Sequence, residues 1–165
     1  MKKPGVFAAV LCLSGLAINA SAQMSLDATE QTSFDIGGSI AAECKVANTT
    51  TEQAASLDLS NASAQSAATI SVWCNTGQNS ADTTYSSANN GYLVNESGNQ
   101  IAYNINVGDN ASALSLSSPQ TVQQASGTGV QGGVQSSNVA IIPQVSGFEN
   151  SGSYSDTIAV TVSYN

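Results

Sequence analysis

The side chains that could carry out chemistry in this chain are few. It contains no histidine, and its only basic residues are Lys2, Lys3 and Lys45. General-base catalysis, metal binding and anion binding depend most often on histidine and arginine. Eleven aspartate and glutamate residues are scattered along the sequence, and a pair of carboxylates could in principle serve a glycosidase. Because no pair is marked out by its spacing, we expect a solvated acidic surface and assign no catalytic residue, metal site or cofactor.

Three short stretches have the composition of a binding site but lack its context. VGDNAS, which begins at Val107, and LDLSN, which begins at Leu57, offer oxygen atoms to a calcium ion without the spacing of an EF-hand loop. GTGVQGG, which begins at Gly127, is rich in glycine, yet no strand followed by a helix surrounds it, as a phosphate-binding loop requires. We interpret all three as turns.

The first 22 residues have the parts of a secretory signal peptide. Two lysines give a positive start, residues 6–18 are mainly apolar, and residues 20–22 form an A-x-A cleavage site. A lipoprotein attached at Cys12 is the alternative, but the bulky Leu11 directly precedes that cysteine. We therefore predict that residues 1–22 are a signal peptide and that the mature chain forms one domain.

Without that signal the chain is strongly acidic. Lys45 alone remains against eleven carboxylates. Such a surface has no electrostatic attraction for nucleic acid or for an anionic membrane. We therefore expect no nucleic-acid partner and no membrane insertion.

Cys44 and Cys74 are the two cysteines that remain after export. An even pair in an oxidising compartment predicts one disulfide, and closing a loop of that length would stabilise the fold by about 3 to 4 kcal/mol in the chain-entropy model. Two free thiols for redox chemistry or metal binding are the alternative, but the sequence has no C-x-x-C motif and no histidine. The prediction is a structural disulfide between Cys44 and Cys74.

Much of the mature sequence alternates with a period of two, which is the pattern of half-buried β-strands. In the clearest case, residues 157–164, one parity holds Ile158, Val160, Val162 and Tyr164. A row of even-numbered apolar residues also runs through residues 24–42 and indicates one long extended segment, or two strands joined at Gly37-Gly38. Further strands are predicted at residues 57–59, 69–74, 100–107 and 139–145, with a weak helical period at residues 51–57.

Two polar stretches separate these strands. Residues 75–93 and 123–138 are rich in Ser, Asn, Gln, Thr and Gly and too poor in apolar residues to form a core, so we predict loops or hairpin tips. Several short strands with almost no helical pattern favour an all-β sandwich.

The order of these motifs resembles a known family. A signal peptide, an alternating N-terminal arm, an early cysteine, the segment ISVWC with the second cysteine, IAYNINVGD and the closing GSYSDTIAVTVSYN are similar to the spore coat protein U domain, the subunit fold of archaic chaperone–usher pili. The ending, G-x-Y-x-D-T followed by alternating residues and a final aromatic-Asn, is the most specific part. The chain departs from the family at Leu59-Ser60, where a Phe-Gly is common, and it lacks the arginine usually found before the Y-N strand.

The resemblance implies an immunoglobulin-like, incomplete (pilin-type) β-sandwich with one disulfide and a hydrophobic groove beside the C-terminal strand. A periplasmic pilus chaperone would fill this groove first, and in the fibre the N-terminal arm of an identical or related subunit would replace it, after delivery to an outer-membrane usher. Residues 23–33 would be the donor-strand arm and residues 34–165 the sandwich domain. The donor side chains would be Leu26, Ala28 and Thr32, and the groove side of the last strand would be Ile158, Val160, Val162 and Tyr164.

We therefore expect a structural subunit of a surface pilus, exported through the periplasm and serving adhesion or biofilm formation, rather than an enzyme. The alternative is a secreted β-sandwich module that binds carbohydrate or another surface. In that case residues 24–33 would be the first strand of a complete monomer or a disordered start, and the stacking candidates would be Trp73, Tyr85, Tyr92 and Phe148.

Overall fold

The computed structural model describes residues 31–130 and 132–164. The chain divides between Ser39 and Ile40 into two units. The described part of the first unit, residues 31–39, contains no strand or helix, and its side chains are exposed. The predicted signal peptide and most of the predicted arm, including Leu26 and Ala28, lie outside the described residues.

The regular secondary structure of the second unit consists of β-strands and one short helix. Within the described part of the chain, no helix is long and apolar enough to cross a membrane. A short 3₁₀ helix spans Glu52–Ala55. In chain order the strands are β1 (Cys44–Thr50), β2 (Gln65–Cys74), β3 (Ser80–Ser87), β4 (Tyr92–Val94), β5 (Gln100–Val107), β6 (Ala111–Ser115), β7 (Gln120–Ala125), β8 (Gln135–Pro143) and β9 (Ile158–Ser163).

These strands form two antiparallel sheets. The larger sheet has the order β1-β2-β8-β5-β4, with β6 paired to β5, and the smaller sheet has the order β7-β3-β9. β1 is therefore at one edge of the larger sheet, and β9 is at one edge of the smaller sheet. β9 thus pairs with β3, which is the middle strand of the smaller sheet.

The core lies between the sheets and follows the period of two. In β5 the buried residues are Ile101, Tyr103, Ile105 and Val107, and the residues between them are half-buried. The same alternation brings buried side chains inward from the other strands, among them Ile70, Val72, Tyr85, Val122, Val139 and Ile141. Cys44 and Cys74 lie opposite each other in β1 and β2 and are joined by a disulfide. The prediction of an all-β sandwich with one disulfide is confirmed.

Most of the strongly alternating segments form strands where they were predicted. β5 has the predicted bounds, the prediction at residues 69–74 lies within β2, and the prediction at residues 157–164 contains β9. β8 begins earlier than predicted and ends at Pro143, which has no backbone N–H with which to continue the ladder. β8 is an interior strand of the larger sheet, paired with β2 on one side and with β5 on the other, and its last paired residue is Pro143.

Four expectations about local structure were wrong. Residues 57–59 are not a strand; Leu57 and Leu59 pack half-buried against the core from an irregular segment after the 3₁₀ helix. Residues 31–42 contain no strand, so the first strand of the described chain begins at Cys44. Residues 75–93, predicted as loop, contain all of β3 and the first two residues of β4. Residues 123–138, predicted as loop, contain the end of β7 and the start of β8.

Candidate functional site

An apolar cleft lies between β1 and β9, at the edges of the two sheets. It has a volume of about 260 Å³ and is lined by side chains of β1, β2, β3, β8 and β9. The lining is mainly hydrocarbon and includes Val46, Ile70, Ile141, Ile158 and Val160. Apolar side chains that line an open cleft between two sheets lack the close packing of a protein interior.

The cleft continues toward the segment that precedes β9. A second space of about 550 Å³ shares Ala67, Ala68, Ile141 and Ile158 with the first, so the two form one groove, which we call the β1–β9 cleft. Leu57 and Leu59 line this extension. The two leucines predicted as a strand therefore serve as part of a groove wall.

The edge of β9 borders this cleft. β9 pairs with β3, with Val160 opposite Tyr85, and among the described residues it has no strand on its other side. Its backbone N–H and C=O groups on that side have no ladder partner, which is the arrangement that accepts an added strand. The chain therefore presents an open strand edge and an apolar groove at the same place.

The structure places the four predicted groove residues differently along β9. Ile158 and Val160 line the cleft, and Val162 packs half-buried against the core. Tyr164 follows the end of β9 and is 55% exposed. The intervening residues Ala159 and Thr161 are exposed on the opposite face.

Asp156, two residues before the start of β9, joins the two sheets. Its carboxylate accepts hydrogen bonds from the Tyr103 hydroxyl at 2.6 Å, from the Ser87 hydroxyl, and from the backbone N–H groups of Asn89 at 3.1 Å and Thr157 at 2.7 Å. Tyr103 belongs to β5 of the larger sheet and Ser87 to β3 of the smaller one. One side chain thus fixes where β9 begins relative to both sheets.

Burial and the contact with Asp156 both favour the protonated form of Tyr103. Its side chain is 2% exposed. Burial raises the pKa of the Tyr103 hydroxyl above its usual range, and the hydrogen bond to the negative Asp156 raises it further. The neutral hydroxyl remains a hydrogen-bond donor at every physiological pH.

Tyr85 lies on the floor of the cleft. It is fully buried, and its hydroxyl accepts a hydrogen bond from Nε2 of Gln124 in β7. Burial raises the pKa of Tyr85 to about 12, and the hydrogen bond from Gln124 opposes this shift. The aromatic ring therefore forms part of the apolar floor, while its polar end is satisfied inside the smaller sheet.

The disulfide holds one wall of the cleft. Cys44 begins β1, and Val46, two residues along, lines the cleft. Because Cys44 is bonded to Cys74 at the end of β2, this end of β1 cannot separate from the sheet while the disulfide is intact. The disulfide therefore adds a covalent link to the pairing of β1 with β2 at this end of the wall.

The N-terminal segment carries a second unpartnered apolar surface. Phe34 is 85% exposed, Ile36 is 87% exposed and Ile40 is 75% exposed. All three share the even parity of Thr32, the one predicted donor residue within the described chain, which is also exposed. Large apolar side chains in alternate positions, all exposed, are the pattern of a strand that lacks a partner.

The aromatic residues considered for carbohydrate stacking do not form one surface. Tyr85 is buried, and Phe148 is 90% exposed. Trp73 is half-buried; its Nε1 donates to the carbonyl of Gly129 at 3.0 Å, and the Lys45 ammonium lies 5.3 Å from its ring centroid. Among residues 31–130 and 132–164, no group of three or more His, Cys, Asp or Glu side chains could hold a metal ion.

Two contributors to this region were not identified from sequence. Asp156 was noted only as part of the motif G-x-Y-x-D-T, and its partner Tyr103 was counted as one more alternating residue of a strand. Asn75, which bonds to the backbone just before β1, follows a half-cystine and looked like the start of a loop. The one sequence signal for this role is the position of Asp156, an acidic residue immediately before the strand predicted at residues 157–164.

Comparisons with known proteins give two findings. The family model of the Spore Coat Protein U domain matches residues 30–161 of this chain. Among solved structures, the chain is similar to one in the CsuC-CsuE chaperone-tip adhesion subunit pre-assembly complex from archaic chaperone-usher Csu pili of Acinetobacter baumannii, with 14% identity and a TM-score of 0.46. That match covers 76% of this chain and 40% of the other. No curated protein matches the sequence significantly.

Proposed function

The chain belongs to the Spore Coat Protein U domain family, and we propose that it is a structural subunit of a surface pilus, assembled by the chaperone–usher pathway through donor-strand exchange. In this proposal the signal peptide is residues 1–22, the N-terminal arm is residues 23–33 with Leu26, Ala28 and Thr32 as donor residues, and the receiving domain is residues 34–165.

The observation that carries this proposal is the unpaired edge of β9 beside the β1–β9 cleft. A strand added there would bond to the free N–H and C=O groups of β9 and bury alternate side chains against Val46, Ile141 and Val160. Each large apolar side chain buried in this way contributes about 1.5 to 3 kcal/mol. Backbone pairing and side-chain burial then act together, which suits a joint that must persist in a fibre.

The same geometry supports the partners that we propose. A periplasmic chaperone covers the cleft during export, because an exposed strand edge with an apolar groove would otherwise aggregate. An outer-membrane usher then exchanges the chaperone for the arm of another subunit, and the growing fibre reaches the cell surface. Adhesion or biofilm formation is the role of the finished pilus.

Periplasmic co-expression tests the proposal. The full chain, signal included, is expressed alone, with an archaic-class chaperone, and with the chaperone and usher together. We expect degradation or aggregation alone, a soluble one-to-one complex with the chaperone, and surface fibres with both. A stable soluble monomer from the chain alone would contradict the proposal and favour the secreted binding module.

A further inference from the structure

The backbone immediately before β1 is held by one side chain. Oδ1 of Asn75 accepts a hydrogen bond from the Glu43 N–H at 2.7 Å, and Nδ2 of Asn75 donates to the Ala41 carbonyl at 2.7 Å. The backbone N–H of Asn75 also donates to the Glu43 carbonyl at 3.0 Å. Because Cys44 lies opposite Cys74, these bonds extend the β1–β2 pairing beyond the disulfide. Residues 41–43 therefore continue along the line of β1 beside the end of β2.

This clamp limits where the preceding segment can turn back. The chain cannot reverse between Ala41 and β1 without breaking the bonds to Asn75. The nearest favourable site for a tight turn is Gly37-Gly38, because glycine readily adopts the positive φ of a two-residue hairpin turn. A hairpin there would place Ile36 opposite Ser39, Phe34 opposite Ala41 and Thr32 opposite Glu43.

In that hairpin no residue of the apolar row would reach the cleft of its own domain. The first β1 residue that lines the cleft is Val46, which lies beyond all of these partners. The row from Thr32 to Ile40 would still be unpartnered. A hairpin of this kind would therefore not close the domain on itself.

The segment nevertheless has the chemistry and length of a strand that fits such a cleft. Its even positions are Thr32, Phe34, Ile36, Gly38 and Ile40, while its odd positions from Ser33 to Ser39 are small or polar. At about 3.3 Å per residue its nine residues span about 30 Å, more than the six residues of β9 require. One face would enter an apolar groove, and the other would face water.

We propose that Asn75 is a positioning residue that holds the exit of the N-terminal segment in line with β1, so that the row Thr32–Ile40 is donated to the β1–β9 cleft of a second copy of this chain. This inference rests on the proposed function and places the donor strand nearer to β1 than residues 23–33. In this inference the side-chain pattern of the arm lets it fit a cleft, and Asn75 sets the direction in which the arm leaves its own domain.

Disulfide trapping between the arm and the cleft tests the inference. Full-length chains carrying Phe34→Cys or Ile36→Cys together with Val160→Cys are exported with the chaperone and usher, oxidised mildly and run on a non-reducing gel. We expect a ladder of covalent oligomers, because each arm reaches the cleft of the next copy. Covalently closed monomers from these variants would overturn the proposal.

Removal of the clamp tests the part played by Asn75. In Asn75→Ala a reversal at Ala42-Glu43 becomes accessible, and it would place Ile40 opposite Lys45 and Ile36 opposite Thr49, beside the chain's own cleft. Loss of two hydrogen bonds corresponds to roughly a ten- to hundredfold increase in the ratio of closed monomer to oligomer. Asn75→Asp keeps the bond from Glu43 and loses the bond to Ala41, so we expect a smaller increase.

A matched control variant distinguishes an effect on the direction of the arm from a general loss of fold stability. Oδ1 of Asn106 accepts a hydrogen bond from the Ala113 N–H at 2.8 Å, far in sequence from the arm. Asn106→Ala therefore loses a comparable side-chain bond to the backbone and should leave the covalent ladder unchanged. An unchanged ladder in folded Asn75→Ala or Asn75→Asp would overturn the role of Asn75.

Different results would contradict the assignment of the donor segment and the proposed function. A ladder from Leu26→Cys with Val160→Cys, together with none from Phe34→Cys or Ile36→Cys, would overturn this assignment of the donor strand while donor-strand exchange stands. Absence of fibres from the unmodified chain under co-expression would contradict the proposed function itself, and this inference with it.

Discussion

Removal of the Asp156 carboxylate tests how the start of β9 is held. The buried Tyr103 hydroxyl and the Ser87 hydroxyl both donate to Oδ2 of Asp156. A hydrogen bond to a charged group contributes about 1.5 to 3 kcal/mol, so Asp156→Ala should lower the free energy of unfolding by about 3 to 6 kcal/mol. Tyr103→Phe loses one of these bonds and should cost about 1.5 to 3 kcal/mol.

A double-mutant cycle measures the Tyr103–Asp156 interaction directly. Urea unfolding of the oxidised mature chain in its complex with the chaperone is followed by circular dichroism for both single variants and for the double variant, with the free chaperone as the baseline. We expect a coupling free energy of at least about 1 kcal/mol, because the two groups are in contact. Tyr154→Phe is the control: its hydroxyl donates to the Asn150 carbonyl at 2.7 Å at an exposed site, and its loss should cost under about 1 kcal/mol. Equal losses for the two tyrosines, or additive effects in the cycle, would refute the role given to Asp156.

Three further predictions concern the same domain. Non-reducing peptide mapping of the secreted protein should recover Cys44 joined to Cys74, and free thiols at these positions would contradict the fold. From neutral pH to about pH 10 the free energy of unfolding should be nearly constant, and above about pH 10 it should fall, because tyrosines ionise near pH 10 in the unfolded chain while the pKa of Tyr85 is raised to about 12 and that of Tyr103 is also raised; Tyr85→Phe should make this decrease smaller in alkaline titrations. Val160→Asp should abolish fibres seen by negative-stain microscopy, because it buries an unpaired carboxylate at a cost of several kcal/mol, whereas Ala159→Asp on the exposed face should form them. Equal fibre yields from these two variants would show that β9 does not use this face.

The sequence predicted the strands whose inner positions are large and apolar. β5 was placed correctly because Ile101, Tyr103, Ile105 and Val107 alternate with polar residues over its whole length. The strand at residues 57–59 was wrong because two leucines two positions apart fit a strand and also fit an irregular segment that covers a core. In the structure Leu57 and Leu59 pack half-buried without strand partners.

β3 could not be identified from the local sequence. Its buried positions are Ala81, Thr83 and Tyr85, so small and hydroxylated residues take the place of the usual branched aliphatic side chains. The strand exists because β7 and β9 pair with it on both sides, and these partners are distant in sequence. Information of this kind comes from the packing of the whole chain and is absent from an eleven-residue window.

The candidate site was only partly accessible to sequence reasoning for the same reason. The alternation of Ile158 and Val160 predicted a strand with one apolar face, and the structure adds that this face borders an open cleft. The bonds from Asn75 to Ala41 and Glu43 depend on the register of β1 against β2, which the disulfide pairing alone does not determine. A single asparagine carries no periodic signal, so its position became meaningful only with the strands in place.

The structure of the assembled fibre by electron cryomicroscopy tests the central claim most directly. The account predicts that β9 of each subunit pairs on its free edge with a strand contributed by a neighbouring subunit, and that this strand places alternate apolar side chains in the β1–β9 cleft. A fibre in which the free edge of β9 is bare, or is paired with the subunit's own chain, would contradict it.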